Sequence, residues 1–387
     1  MVHRLINPSL SQSFFIFGPR GCGKTTFLKT FFQDKPCRWI DLLDPEQEDR
    51  YSLDPGLLYR ELTAQPSSDS WVVLDEIQKN PRLLDTVHRL IENTSLKFAL
   101  TGSSARKLKQ GSANLLAGRA FMNYLFPFTA IEMGETFNLE EALHWGTLPR
   151  VTQFSSPSDK KDFLKAYALT YLKEEIWAEH IIRNLEPFRR FLPIAAQACG
   201  QILNYSNIAR DVGVDYKTIQ SYFQILEDTL IGFMLEPFHR SIRKQQHQSP
   251  KFYFFDTGVK RALENSLDVP LRPKTYAYGA TFEQWVMTEI HRLNHYYKKD
   301  YPLYYLKTKD QAEIDLVVER PGKPTALIEI KSTERCDPQD AKKLEAFLKN
   351  FQPAVAYLLS LDPHSQQIGE VLALPWDKGI KLLFDES

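Results

Sequence analysis

The sequence predicts an α/β chain of three domains: a parallel sheet with helices on both faces, a helical middle domain carrying a winged helix-turn-helix, and a second α/β domain. Between 14 and about 130, short apolar runs alternate with longer helical patterns, as strands and crossover helices do in a parallel sheet. From 159 to about 235 the apolar residues recur at three and four instead, and past 248 strand-like runs return. A Gly-, Pro- and Ser-bearing stretch around 146–158 reads as a linker. The expected domains are therefore 1–150, 151–248 and 249–387, and 387 residues suffice for two or three separate cores.

Lys and Arg number 48, as do Asp and Glu, so bulk charge offers no general attraction to nucleic acid and any such binding must come from local patches. Cys22, Cys37, Cys199 and Cys336 show no CxxC spacing, which fits reduced thiols in a cytosolic protein. The opening apolar run passes straight into a glycine-rich loop, as a strand does and a secretory leader does not. No apolar stretch approaches the roughly 20 residues that cross a bilayer. The expectation is a soluble, cytoplasmic protein with no membrane partner.

In the first domain Phe14–Phe17, Arg38–Leu43, Trp71–Leu74 and Lys97–Leu100 read as buried strands. Directly after the first of them, Gly18-Pro19-Arg20-Gly21-Cys22-Gly23-Lys24-Thr25 matches G-x-x-x-x-G-K-[ST], and the apolar helix beginning at Thr26 follows at once. Glycines let backbone N–H groups turn inward around a phosphate, and a helix N-terminus adds its positive dipole end. Lys24 would reach the β and γ phosphates and Thr25 would offer its hydroxyl to Mg²⁺. The eight residues with Thr26 are the expected ATP site, and Mg-ATP is the expected cofactor.

The second half of such a site is an acidic residue ending a neighbouring strand, and WVVLDEIQ supplies it. Asp75 would hold the magnesium and Glu76 would polarise the attacking water. The next strand ends in Thr101-Gly102-Ser103-Ser104, where a hydroxyl either meets the γ-phosphate or caps a helix. With these residues the chain resembles the AAA-type ATPases of the branch that inserts an extra strand between the two Walker motifs, and Ser103 stands where that branch carries its sensor. LLAGRAFMNYLFPF resembles a segment of one family of bacterial and archaeal ATPases, whose ATPase domain is joined to a C-terminal domain of nuclease-like fold. The resemblance implies that Arg119, or Arg106, supplies a finger to the γ-phosphate in its own subunit or in the neighbour within a homo-oligomer; the alternative is a surface ion pair.

In the middle domain Phe163, Ala166, Tyr167, Thr170, Tyr171, Glu174 and Ile176 begin a long amphipathic helix. Ser206 is placed to cap a helix, Gly213 fits a tight turn, and Ile219, Tyr222, Phe223 and Leu226 form a second apolar face, which together make a helix-turn-helix followed by the start of a wing. Its second helix offers Lys217, Thr218, Gln220 and Ser221 to a groove and no arginine, so it serves either DNA or protein packing. His239, Arg240, Arg243, Lys244, His247 and Lys251 form a basic cluster that either follows a phosphate backbone or stays solvated.

The third domain carries Glu283 on a helix, Asp315 in AEIDLVV and Glu329-Ile330-Lys331 in ALIEIKS. Residues two apart on a strand share a face, so Glu329 and Lys331 would point together, beside Asp315 on an adjoining strand. Two carboxylates that bind a divalent metal, with a lysine beside them, suit phosphodiester hydrolysis. The alternative, a salt-bridged sheet edge, sets three acids around one lysine in mutual repulsion. The set resembles the PD-(D/E)-x-K nuclease superfamily over roughly 276–360. That resemblance implies Asp315 and Glu329 as metal ligands, Lys331 as catalytic base or stabiliser and Glu283 as the supporting helix acid. The leading expectation is a Mg²⁺-dependent ATPase whose nucleotide state controls a nuclease-like domain acting on DNA, in defence or genome maintenance. The alternative is a nucleotide-switched remodelling protein whose C-terminal fold only binds a partner, and a sequence-specific regulator using the helix-turn-helix comes third.

Overall fold

The computed structural model describes residues 2–64, 70–104, 116, 118–171, 185–239, 248–308, 312–349 and 351–385. Strands β1 (Ser13–Phe17), β2 (Cys37–Asp41), β3 (Trp71–Asp75), β4 (Lys97–Gly102) and β5 (Ala120–Tyr124) form a five-stranded sheet in the order β2-β3-β4-β1-β5. Every pairing is parallel. The inner strands β1 and β3 are buried throughout, as strands covered on both faces must be, whereas the edge strand β5 leaves Phe121 and Met122 exposed. The four expected strands are all present, and β4 lies between β1 and β3, so one strand separates the two phosphate motifs. Helix α1 (Lys24–Phe31) leaves the loop after β1, and α2 (Leu83–Asn93) packs Leu83, Leu84, Val87 and Leu90 into the core.

The expected long helix after 159 is a shorter helix, Pro157–Ala166, which widens into a π turn at Tyr167–Tyr171; Glu174 and Ile176 lie outside the described residues. Helices α3 (Tyr205–Val212) and α4 (Tyr216–Asp228) follow, joined by a tight turn at Gly213 with φ 79°. Asn204 rather than Ser206 caps α3, accepting from the Asn207 N–H at 3.0 Å. Ile219, Tyr222, Phe223 and Leu226 are buried, while Lys217, Gln220 and Ser221 face outward.

Strands β6 (Gly232–Pro237) and β7 (Lys251–Phe254) pair antiparallel where a wing was expected. They do not stand free. Glu236 and Pro237 continue in parallel register with Tyr304 and Tyr305 of β8 (Leu303–Lys307), so the hairpin extends an eight-stranded mixed sheet, and position 248 falls between its two strands. The remaining strands are β9 (Glu313–Val318), β10 (Thr325–Lys331), β11 (Ala354–Ser360), β12 (Gln366–Ile368) and β13 (Val371–Pro375), in the order β12-β13-β11-β10-β9-β8-β6-β7.

Helix α5 (Tyr276–Tyr296), the expected helix of Glu283, is capped by Thr275 and packs on β7 and β10. Its C-terminal half turns to the first domain. Arg292 donates to the carbonyls of Phe128 (3.0 Å) and Phe255 (2.7 Å), and the Ala130 N–H donates to Glu289 at 2.9 Å. The Tyr296 hydroxyl accepts from Arg4 and from the Phe126 N–H, each at 3.0 Å. Helix α6 (Pro338–Leu348) covers β10 and β11. No described helix is long and apolar enough to cross a membrane.

Candidate functional site

The loop after β1 is held from two sides. A Cβ on Gly18 would lie 2.0 Å from the Leu125 carbonyl oxygen, so only glycine lets β1 leave the sheet there. Gly23 caps α1 in the left-handed region, with φ 89°. From the middle domain the Tyr167 hydroxyl donates to the Arg20 carbonyl at 2.8 Å. Cys22 is wholly buried and its thiol is pushed up to about 12 by that burial, so it serves the loop through its backbone. Pro19 is buried and Thr26 exposed. Beside Cys22, Gly23, Thr26 and Phe27 opens a cleft of about 1280 Å³, which Leu5 and Thr152 also line.

Lys24 is buried, and its ammonium donates to the carbonyls of Gly18 (2.8 Å) and Pro19 (3.4 Å) and lies 3.8 Å from Glu76. Thr25 donates to Asp75 Oδ2 at 2.7 Å. Asp75 has no exposed surface; burial pushes its carboxyl up, against the pull of hydrogen bonds from Thr101 and Thr25. The Thr101 hydroxyl thus serves Asp75 and accepts from the Glu76 N–H at 2.8 Å, so it neither caps a helix nor faces a phosphate. Glu76 sits at φ 59°, ψ 49°, a left-handed conformation that costs a non-glycine residue of order 1–3 kcal/mol and recurs at functional sites. An ammonium, a hydroxyl and a carboxylate converging on a glycine loop at a helix N-terminus fit a magnesium-bound polyphosphate.

Ser103 is buried and accepts from the Gln78 side-chain amide at 2.9 Å. Arg119 is not brought to this loop. Because β5 runs parallel to β1 with Ala120 beside Ser13, Arg119 enters the sheet at the far end, roughly 20 Å from Gly18 by strand rise. There it pairs with Glu92 on α2, which corrects the expectation of a finger within its own subunit. Arg106 lies outside the described residues.

The C-terminal set does come together. Asp315 accepts from the Ile330 N–H at 2.8 Å, so its carboxylate lies against β10. Glu329, 1% exposed, takes Lys331 at 2.7 Å and Lys343 of α6 at 2.9 Å on the same oxygen, Oε1. Its other oxygen, Oε2, is buried without a hydrogen-bond partner. Burial, then the charges of Glu329 and Glu283, push Asp315 up to about 8. Among the described residues no group of three or more His, Cys, Asp or Glu side chains is placed to hold a metal, so what Asp315 and the orphaned oxygen of Glu329 offer a cation is a pair of carboxylates. Glu283 stands to the side, accepting from the Tyr253 hydroxyl at 2.6 Å.

Lys251 was assigned to the basic cluster that follows the helix-turn-helix, and the structure corrects this. It is 3% exposed, 2.6 Å from Glu313 and 3.8 Å from Glu283. Burial alone would lower its ammonium, and Glu283, Asp315 and Glu313 outweigh that, raising it. Arg240, Arg243, Lys244 and His247 lie outside the described residues. Sequence reading missed Gln78, Lys251, Tyr253 and Lys343. Only Lys251 left a signal, as the one charge opening the otherwise apolar strand KFYF.

Residues 11–134 match the family model of the AAA domain. Residues 136–269 match a domain of unknown function (DUF8612), and residues 278–378 match another (DUF4143). Lys251 therefore belongs to the second matched segment while serving acids of the third. The chain is 28% identical over 367 residues to the uncharacterized proteins Rv2008c of Mycobacterium tuberculosis and Mb2031c of Mycobacterium bovis, covering 93% of this chain and 79% of each relative. Among solved structures it is similar to the Walker-type ATPase PABY2304 of Pyrococcus abyssi, with 14% identity, a TM-score of 0.45 and coverage of 65% of this chain and 90% of that one. The match to the AAA domain takes in all five strands of the parallel sheet, with β4 between the two phosphate motifs, and the complete loop Gly18–Thr25.

Proposed function

We propose that this chain is a Mg²⁺-dependent ATPase whose nucleotide state is coupled, through α5, to a nuclease-like C-terminal domain acting on DNA. The observation that carries the ATPase half is the convergence of Lys24, Thr25, Asp75 and Glu76 at the loop after β1. Lys24 exchanges its two carbonyl partners for phosphate oxygens. Thr25 and Asp75 would hold the magnesium, which would supply positive charge to offset that developing on the phosphates. Glu76 orients the attacking water and takes its proton. The cleft beside Gly23 and Thr26 has room for the base and ribose. The same reading keeps Arg119, at the outer end of β5, as the candidate finger for a neighbouring subunit of a homo-oligomer.

In the C-terminal domain Asp315 and Glu329 would hold one divalent cation, which supplies a polarised water and offsets phosphodiester charge. Lys331 steadies the attacking water, and Glu283 keeps Lys251 in place. Incubated with Mn²⁺ or Mg²⁺, the full chain is expected to nick plasmid or linear DNA. Lys331→Ala should abolish nicking while leaving ATP turnover unchanged, and no cleavage of any nucleic acid would remove the nuclease half.

One observation favours a second reading, a nucleotide-switched remodelling ATPase whose C-terminal fold only binds a partner. Three lysines already sit among the acids: Lys331 and Lys343 on Glu329, and Lys251 on Glu313. This reading expects ATP turnover to respond to a protein ligand and Asp315→Ala to leave that response intact.

A further inference from the structure

The short 3-10 turn after β3, Ile77–Lys79, returns a side chain to the residue that opens it. Gln78 is 8% exposed, and its amide nitrogen donates both to Glu76 Oε2 and to Ser103 Oγ, the latter at 2.9 Å. Its carbonyl oxygen Oε1 is buried with no hydrogen-bond partner. A flipped amide would aim that carbonyl at the Glu76 carboxylate, two acceptors face to face, so the nitrogen must be where it is. Space for the side chain depends on Gly102, where a Cβ would approach Gln78 Oε1 to 3.2 Å. A buried amide that leaves its own carbonyl unsatisfied in order to bridge a carboxylate and a hydroxyl is expensive to keep for packing alone.

We infer that Gln78 is a positioning residue for ATP hydrolysis, linking the occupancy of Ser103 to the orientation of Glu76; the inference rests on the nucleotide site proposed above. Because Gln78 donates to Ser103 Oγ, that oxygen's lone pair is engaged and its O–H proton is left to donate outward, to a terminal phosphate oxygen. The same amide fixes one oxygen of Glu76 and leaves the other, Oε1, on the side of Lys24. An engaged Ser103 therefore holds Gln78, and Gln78 holds Glu76 ready to take the proton of the attacking water. ADP has no terminal phosphate to engage Ser103, so its affinity does not depend on the bridge.

The test is a two-residue cycle in the full chain, Gln78→Leu, Ser103→Ala and the double variant, with steady-state ATP turnover and ADP affinity by calorimetry. Gln78→Leu keeps the volume and removes the amide. It is expected to lower kcat at least tenfold with KM and ADP affinity within twofold of wild type, and Ser103→Ala added to it should lower kcat no further. Gln78→Met, a second apolar isostere, should repeat the result, and its thermal melt guards against a folding defect. Independent, multiplicative losses, an unchanged kcat, or a parallel loss of ADP affinity would each overturn the inference while leaving the ATPase reading intact. A wild-type chain that turns over no ATP would overturn both.

Discussion

Each of the two acidic centres contains an aspartate whose carboxyl is pushed up by burial, and the two relieve that cost differently. Asp75 is served by two hydroxyls, from Thr25 and Thr101. Hydroxyls satisfy a carboxylate without bringing charge, and Thr25 can turn to a metal when one arrives. Asp315 has the backbone N–H of Ile330, and around it stand carboxylates, of which Glu329 and Glu283 raise it further, and lysines, of which Lys251 and Lys331 offset them. The first centre is assembled from neutral donors around one ammonium; the second is a charge lattice with one oxygen of Glu329 left over. Neutral preorganisation favours a site that cycles ligands, whereas a charge lattice favours one that keeps a cation or stays shut.

The sharpest way to break this contrast is through the lysines. Lys24→Ala should weaken ATP binding by about a hundredfold or more, since it removes a buried ammonium from among the phosphates, measured by calorimetry. Lys331→Met should leave that affinity unchanged; a joint loss would mean the two centres are not separate.

Next in size is a pair of substitutions with opposite signs. Thr101→Val removes the partner of both Asp75 and the Glu76 N–H and should cost about 1–3 kcal/mol in denaturant unfolding. Asp315→Asn keeps an acceptor for Ile330 and replaces a carboxyl that folding holds against ionisation with a neutral amide, so in metal-free protein it should raise the melting temperature, while weakening Mn²⁺ binding at least about tenfold. A lowered melting temperature would place Asp315 in the same class as Asp75.

The smallest effect concerns the seam between the centres. Burial, against the pull of Arg292 and the Ala130 N–H, pushes Glu289 up to about 7 from an ordinary 4.5. Between these values the folded chain holds a proton that the unfolded chain has lost. Unfolding releases it, and stability falls as pH rises across that window. Glu289→Gln should flatten the fall in melts taken from pH 4.5 to 7, and an unaltered slope would show that this carboxyl is not the source.

What sequence alone determined follows from contiguity. A phosphate loop is one strand end, one turn and one helix start, so Gly18–Thr25 declares itself in eight letters, and alternating apolar runs declare the strands on either side. Asp75, Glu76, Asp315, Glu329 and Lys331 stood out for the same reason, as charged residues within or at the ends of otherwise apolar strands. What the tertiary structure alone decided are the partners. Thr101 reaches Asp75 because β3 and β4 run in parallel register, with Leu74 beside Leu100. Arg119 fails to reach the loop because β5 runs the same way as β1. Lys251 leaves a surface cluster for a buried one because β6 and β7 join the C-terminal sheet. Local propensity fixes which residues are strand or loop, but which strand lies beside which is settled by burying apolar faces across hundreds of residues, and the charges go where those faces take them.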